Sequence, residues 1–291
     1  MKKYLSLVTF SHTIFAMPFA FIGFFLAITT TNHTFEWQKL LMMVMCMVFA
    51  RNSAMAFNRY LDRDIDAKNP RTKVRDIPAG RLTANAALTF TLVNCALFIT
   101  TTWFINTLCF YLSPVALFVV LGYSFTKRFT ALCHLVLGLG LSLAPIGAYL
   151  VVTGEFALLP IFFSLSVLCW VSGFDIIYAL QDEDFDRNEN LHSIPAYLGK
   201  VNALRLSSAL HVLSAVFIVL PSIYTHVGWP YYIGIVFFCS MLVYQHRLVK
   251  PNDLSRVNFA FMTTNGIASV VFASLFLLDR MFVIHIWEHL M

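Results

Sequence analysis

Residues 158–190 read LLPIFFSLSVLCWVSGFDIIYALQDEDFDRNEN. Up to Tyr178 this stretch carries a single charge, Asp175, and then six charged residues crowd into Asp182 to Glu189. About 20 apolar residues are enough to cross the hydrocarbon core of a bilayer as a helix. Lipid offers the backbone no hydrogen-bond partner, so a run of this kind satisfies its N–H and C=O groups internally, as an α-helix. The stretch therefore reads as a membrane span that delivers a dense acidic cluster to one membrane face. A carboxylate inside the span, Asp175, is a candidate for function because a charge there is costly to keep.

The rest of the chain follows the same pattern. It has 291 residues, 59% of them hydrophobic and 12% charged, and a mean hydropathy of +0.74. A soluble domain carries about 25% charged residues. We expect a single domain over residues 1–291, an all-α polytopic membrane protein. Its nine predicted spans lie near 12–31, 38–60, 85–104, 108–124, 133–152, 158–178, 203–222, 229–247 and 257–278. With a cytoplasmic N-terminus, every Lys and Arg except Lys39 and Arg280 is assigned to the cytoplasmic side, as the positive-inside rule requires. That tally includes Arg51 and Arg59, grouped with the segment after span 2. Lys2 and Lys3 precede an apolar stretch too long for a signal-peptide core, with no Ala-x-Ala-like end, so it reads as a retained helix. The six cysteines form no Cys-x-x-Cys pair and suggest neither a disulfide framework nor a zinc site. No nucleic-acid partner is expected.

The long polar stretches, 58–83 and 181–205, both fall on the cytoplasmic side and resemble each other. Asn58, Asp62, Asp64 and Asp66 recur at an offset of 120 as Tyr178, Asp182, Asp184 and Asp186. Ile77-Pro78-Ala79 recurs as Ile194-Pro195-Ala196. The chain is read as an internal pseudo-repeat, about 38–104 and 158–222, with a site at the repeat interface.

Positions i, i+4 and i+8 of a helix share one stripe and climb about 6 Å per step. Asn58, Asp62 and Asp66 form one such stripe, and Tyr178, Asp182 and Asp186 another, with Asp175 a turn above. Asp64 and Asp184 face elsewhere. Closely spaced carboxylates call for a cation, and magnesium takes oxygen ligands together with substrate phosphate. Asn58, Asp62, Asp66, Asp182 and Asp186 are the expected metal ligands, and Asp175 joins the four aspartates as a catalytic candidate. Among the nearby cations, Arg59, Arg63, Lys68, Arg71, Lys127 and Arg128 are expected to meet phosphate or carboxylate groups, Arg through its planar fork. Intramembrane carboxylates and repeats also occur in transporters, so an ion path is a competing reading. Transporter sites sit near the midplane, whereas these carboxylates crowd one face.

At NRYLDRDIDAKNPRT (58–72) and DIIYALQDEDFD (175–186) the chain resembles the UbiA superfamily of intramembrane aromatic prenyltransferases. Asn58, Asp62 and Asp66 match its Asn-x-x-x-Asp-x-x-x-Asp signature; Asp182 and Asp186, preceded by Tyr178, match its second motif. Tyr123 to Thr130 (YSFTKRFT) is similar to the Tyr-x-x-x-Lys-Arg-x-Thr block that follows the fourth helix. The resemblance implies a helical bundle around a lipid-open chamber, with its active site at the cytoplasmic mouth. It implies Mg2+, a polyprenyl diphosphate donor and an aromatic acid acceptor, in a bacterial cytoplasmic membrane. It also implies loss of diphosphate to an allylic carbocation, which the ring attacks at carbon.

Within the family the chain looks most like enzymes that prenylate 4-hydroxybenzoate, but Phe10-Ser11-His12-Thr13 replaces their Lys-Pro pair and Leu191-His192-Ser193 their Lys-Ser-Thr. His192-Ser193-Ile194-Pro195 is similar to a branch associated with menaquinone synthesis on a carboxylated naphthol. A dihydroxynaphthoate or haem acceptor is a further alternative. His192, standing where those enzymes have Lys, is a candidate phosphate contact, and Arg128 a candidate grip on the acceptor carboxylate.

Overall fold

The computed structural model describes Leu7 and residues 15–290, with side chains described as far as Met281. Lys2, Lys3 and Phe10 to Thr13 lie outside the described residues. The long helices are α1 (Met17–Thr30), α2 (Trp37–Leu61), α3 (Ala84–Ile105), α4 (Thr107–Thr126), α5 (Cys133–Thr153), α6 (Leu158–Ala179), α7 (Ile194–Val219), α8 (Trp229–Leu248) and α9 (Asn265–Leu290). Among the described residues, seven candidate spans are long and apolar enough to cross a membrane; α1 is apolar but shorter, and α8 is not among the seven.

Local chemistry sets the ends. Asn106 is a single extended residue between α3 and α4, and its Oδ1 accepts the Cys109 N–H at 2.8 Å. An asparagine in this position satisfies one of the N–H groups that a helix start leaves free. Its amide also donates to the Leu150 carbonyl (2.8 Å), which ties this turn to the end of α5. Ser193 caps α7 in the same way, accepting from Ala196 N (3.3 Å), with Pro195 in the first turn. Gly154, at φ 68°, closes α5 in the left-handed conformation that glycine adopts without penalty.

Lipid tails are as apolar as leucine, so helices in a bilayer associate through close packing and hydrogen bonds. A Cβ placed on Gly23 of α1 would stand 2.0 Å from the Pro145 carbonyl oxygen of α5, so the two backbones touch. Between α6 and α7, Ser166 and Ser214 bond each other at 3.0 Å, and Ser207 donates to the Gly173 carbonyl at 2.7 Å. Phe19, Trp170, Phe238 and Phe272 form the aromatic centre of the core, with neighbouring rings 5.4–6.3 Å apart. Trp170 donates its N–H to Asn265 at 2.9 Å. Arg280, an exception to the charge asymmetry, is buried beside Asp279 and donates to the His226 carbonyl at 2.7 Å.

Candidate active site

Both acidic segments break their helices at the corresponding aspartate. α2 stops at Leu61, Asp62 takes φ −88°, ψ 3°, and a short helix, Arg63–Lys68, follows. α6 stops at Ala179, a 3-10 turn carries the chain through Leu180–Asp182, and the short helix Glu183–Asn188 follows. Asp182 sits at φ −105°, ψ 4°. Across the first break Asp62 N still bonds Asn58 O (2.9 Å) and Asp66 N still bonds Asp62 O (2.7 Å). The expected i, i+4 stripe therefore survives the bend.

The first pair of aspartates is buried: Asp62 is 1% and Asp66 3% exposed. Asn58 donates to Asp62 Oδ2 at 3.0 Å. Lys127 Nζ lies 2.5 Å from Oδ2, and Arg128 3.2 Å from Oδ1. Arg75 reaches Asp66 Oδ1 at 2.6 Å. The second pair lines a cavity of about 630 Å³. Arg71 grips Asp182 with two N–H groups, Nε at 3.0 Å and Nη2, while Nη1 donates to the Tyr178 hydroxyl at 2.8 Å. Its guanidinium also lies 5.0 Å from the Tyr178 ring centroid. Asn69 adds a donor to Asp182 at 3.1 Å. Burial works against the Arg71 charge, but the hydrogen bonds and negative charge of Asp182 outweigh it and hold the guanidinium above its ordinary pKa. The loop after the first motif thus docks onto the second, more than a hundred residues away in sequence.

The cavity is polar at one end, where Asn58, Arg59, Arg71, Arg75, Lys127, Asp182 and Asp186 converge. From there it runs along α2, α4, α5 and α6 past Asp175 and Tyr178 to apolar residues such as Met43, Phe98 and Leu150. Four expected site residues are placed elsewhere. Arg63 folds back on Tyr60, donating to its carbonyl at 2.8 Å. Lys68 pairs on the exterior with Glu189 at 2.6 Å. Arg128 is spent on Asp62 and on the Ser124 and Leu61 carbonyls (3.1 and 3.0 Å). His192 is exposed, its backbone N–H held by the Lys127 carbonyl at 2.7 Å. Asp64 and Asp184 face outward, as the helical geometry predicts.

Several site residues escaped the sequence reading. Arg51 belongs within α2, not after it, and lines the cavity. Its Nε and the Arg59 Nη1 are buried without a hydrogen-bond partner. A charge inside a predicted span was the signal available for Arg51. Arg75 and Asn69 carried no comparable signal, because their roles depend on the loop's tertiary path. His134, which no sequence pattern singled out, touches Asp175 at 2.6 Å.

The donor set fits a divalent cation. Asp66 Oδ2 is buried with no hydrogen-bond partner, and Asp62 Oδ1 has no hydrogen bond beyond its ion-pair contact with Arg128; a buried acceptor left unmet costs about 1–3 kcal/mol. Carboxylate and amide oxygens are the ligands hard cations prefer. Among the described residues, no three His, Cys, Asp or Glu side chains stand together as a ready metal cage. Lys127, Arg71 and Arg75 occupy the carboxylates.

Known proteins resemble this chain in sequence and in fold. Residues 16–267 match the UbiA prenyltransferase family. A 4-hydroxybenzoate octaprenyltransferase of Tolumonas auensis is 31% identical over 246 residues, which is 82% of this chain and 84% of the relative. One from Vibrio parahaemolyticus is 28% identical, covering 81% of this chain and 83% of its own. The apo structure of a UbiA homologue from Aeropyrum pernix superposes with a TM-score of 0.83 at 29% identity, over 92% of this chain and 98% of that one. A UbiA homologue from Archaeoglobus fulgidus bound to GPP and Mg2+ has the same fold at TM-score 0.69 and 20% identity, over 96% and 99% of the two chains. With most of its length matched to that one family, this chain belongs to the UbiA prenyltransferase family.

Proposed function

We propose that this protein transfers a polyprenyl group from its diphosphate to a ring carbon of an aromatic acid, as a step in ubiquinone or menaquinone synthesis. The observation that carries this reading is a cavity that is cationic and acidic at one end and mostly apolar along the rest. A diphosphate ester with a long hydrocarbon tail has that same division. The names of the relatives support the aromatic acceptor, and the Archaeoglobus structures bound to GPP or DMAPP with Mg2+ support the donor and the metal.

Asn58, Asp62, Asp66, Asp182 and Asp186 would hold magnesium, which supplies charge neutralisation for the departing diphosphate. Lys127, Arg71 and Arg75 can turn from the carboxylates to phosphate oxygens once that exchange is available, and Arg59 lines the same end of the cavity. As diphosphate leaves with the C1–O electron pair, the allylic cation lies against the aromatic wall. Tyr178, Phe174 and Phe261 line the cavity there, with the Tyr178 and Phe261 rings 4.2 Å apart. Ring faces attract a cation, and the apolar walls keep out the water that would capture it. The unpaired N–H groups of Arg51 and Arg59 suit the acceptor's carboxylate.

In this reading the nine long helices all span the bilayer with the N-terminus cytoplasmic. The chamber opens to lipid so that the tail extends into the bilayer, and its mouth faces the cytoplasm of a bacterial cell. Matching helix breaks at Asp62 and Asp182 support an ancestral duplication of about 38–104 and 158–222. A family defined by prenyl transfer weighs against the ion-path alternative. Mass analysis of products from purified protein offered a polyprenyl diphosphate, Mg2+ and both 4-hydroxybenzoate and a carboxylated naphthol tests the proposal. A C-prenylated acid is the expected product, and its identity decides the acceptor. Neither acid being prenylated would overturn it.

A further inference from the structure

Prenylation of a ring carbon leaves that carbon bearing both the prenyl group and its original hydrogen, so a proton must be removed to restore aromaticity. The cavity offers three carboxylates, Asp175, Asp182 and Asp186. Asp182 is held by Arg71 and Asn69. Asp175 lies seven residues before it, about 10 Å deeper along the helix axis at 1.5 Å per residue. One of its oxygens, Oδ2, is 2.6 Å from His134 Nδ1. Among the described residues no hydrogen bond reaches the other, Oδ1.

His134 is itself 4% exposed and fixed from behind. The backbone N–H of Ile194 donates to its Nε2 at 3.3 Å. An imidazole that accepts at Nε2 carries its proton on Nδ1, so that proton points at Asp175. Ile194 is the first residue of α7 and follows the loop that closes the second acidic motif. That loop is tied to the start of α5 as well, since Cys133 Sγ lies 3.4 Å from the His192 carbonyl. The imidazole is therefore a strut between the motif loop and an otherwise isolated carboxylate on the cavity wall.

We propose that Asp175 Oδ1 accepts the ring proton and that His134 is the positioning residue that aims it. This rests on aromatic prenylation being the reaction. The C1–O bond breaks with its electron pair on the diphosphate, and a ring π pair forms the new C–C bond. The ring C–H bond then breaks, returning its pair to the ring, and the proton passes to Asp175 and out to water at the cavity mouth. A neutral His134 holds the carboxylate by donating to Oδ2, which leaves Oδ1 turned to the substrate.

The test uses the full chain in lipid nanodiscs with ring-deuterated and ordinary acceptor. Binding of a thiolodiphosphate analogue of the donor checks that each variant is folded. Asp175→Asn should lower kcat by about 10²–10⁴-fold while the donor analogue still binds. His134→Leu should lower kcat by about tenfold or more, leave the donor KM in place and bring out a deuterium isotope effect larger than that of the native protein. His134→Gln, which keeps both a donor and an acceptor, should recover most of the rate and the native isotope effect. The proposal is overturned if His134→Leu keeps native kcat, or loses rate with the isotope effect unchanged, as a merely structural histidine would. It is equally overturned if Asp175→Asn prenylates normally. Native protein that prenylates no aromatic acid sinks the reaction and this pair together, whereas native activity matched by the variants sinks the pair alone.

Discussion

The two acidic segments share the spacing of their aspartates and differ in structure. Around Asp62 and Asp66 the carboxylates are buried under Lys127, Arg128 and Arg75, with one oxygen of each left without a hydrogen bond. Around Asp182 and Asp186 the carboxylates form part of the cavity wall. The difference arises from what each segment is followed by. After the first motif the chain loops back through Asn69, Arg71 and Arg75, and these side chains reach across to both motifs. After the second, the chain enters α7 through the Ser193 cap, and its cations Arg187 and Lys200 turn to Glu183. The first half thus supplies the cover and the second half the open wall. Two motifs of the same spacing make a one-sided site.

The largest effect should come from testing whether the two halves are both needed. Asp62→Ala and Asp182→Ala should each lower prenyl transfer by about 10²–10³-fold or more, the scale of losing a group that stabilises developing charge. Transfer of a radiolabelled prenyl group in isolated membranes measures this. If Asp62→Ala kept near-native transfer while Asp182→Ala lost it, the buried pair would be structural and the metal reading confined to the cavity wall.

The loop that joins the halves gives the next test. Arg71 contacts Asp182 with two N–H groups and Tyr178 with a third. A hydrogen bond to a charged group contributes about 1.5–3 kcal/mol, so if the net loss in Arg71→Ala is that of one such bond, kcat/KM should fall by roughly 10- to 100-fold. Arg71→Lys should recover little, because a point charge cannot reproduce the fork. Full rescue by Lys would mean that the halves are joined by charge alone.

A third and smaller effect concerns the deep end of the cavity. Arg51→Gln should raise the acceptor KM by about tenfold, in keeping with one charged hydrogen bond, and leave the donor KM unchanged. A rise in the donor KM instead would move Arg51 from the acceptor to the diphosphate.

How far the sequence reveals all this depends on the range of the interaction. The helices were legible because apolar runs and their end caps are local; even the single-residue break at Asn106 stands out as a polar residue between two runs. The aspartate stripes were legible for the same reason, as an i, i+4 spacing, although the structure breaks each helix at its first aspartate. The cations were not, because a side chain's direction after a helix break depends on where the loop travels. Arg63 follows Asp62 directly and turns back on Tyr60, whereas Arg71 crosses to the other half. His134 carried no signal because its partner, Asp175, lies on a different helix, 41 residues away.

The smallest effects should fall on the residues that the motifs make conspicuous and the fold leaves outside. Asp64 and Asp184 stand at the centre of each Asp-x-Asp-x-Asp cluster, yet both are exposed, and Asp64 meets only Arg63 at 3.8 Å. His192 is also exposed, and its hold on the loop is through backbone atoms that any residue supplies. Exposed ion pairs contribute about 0–1 kcal/mol, so Asp64→Asn, Asp184→Asn and His192→Ala should leave transfer within about twofold of native at ordinary ionic strength. A large loss in His192→Ala at low donor concentration, relieved by excess donor, would show that the loop after the second motif folds inward on the diphosphate. The second half would then supply cover as the first does, and the one-sidedness of the site would belong only to the ligand-free state.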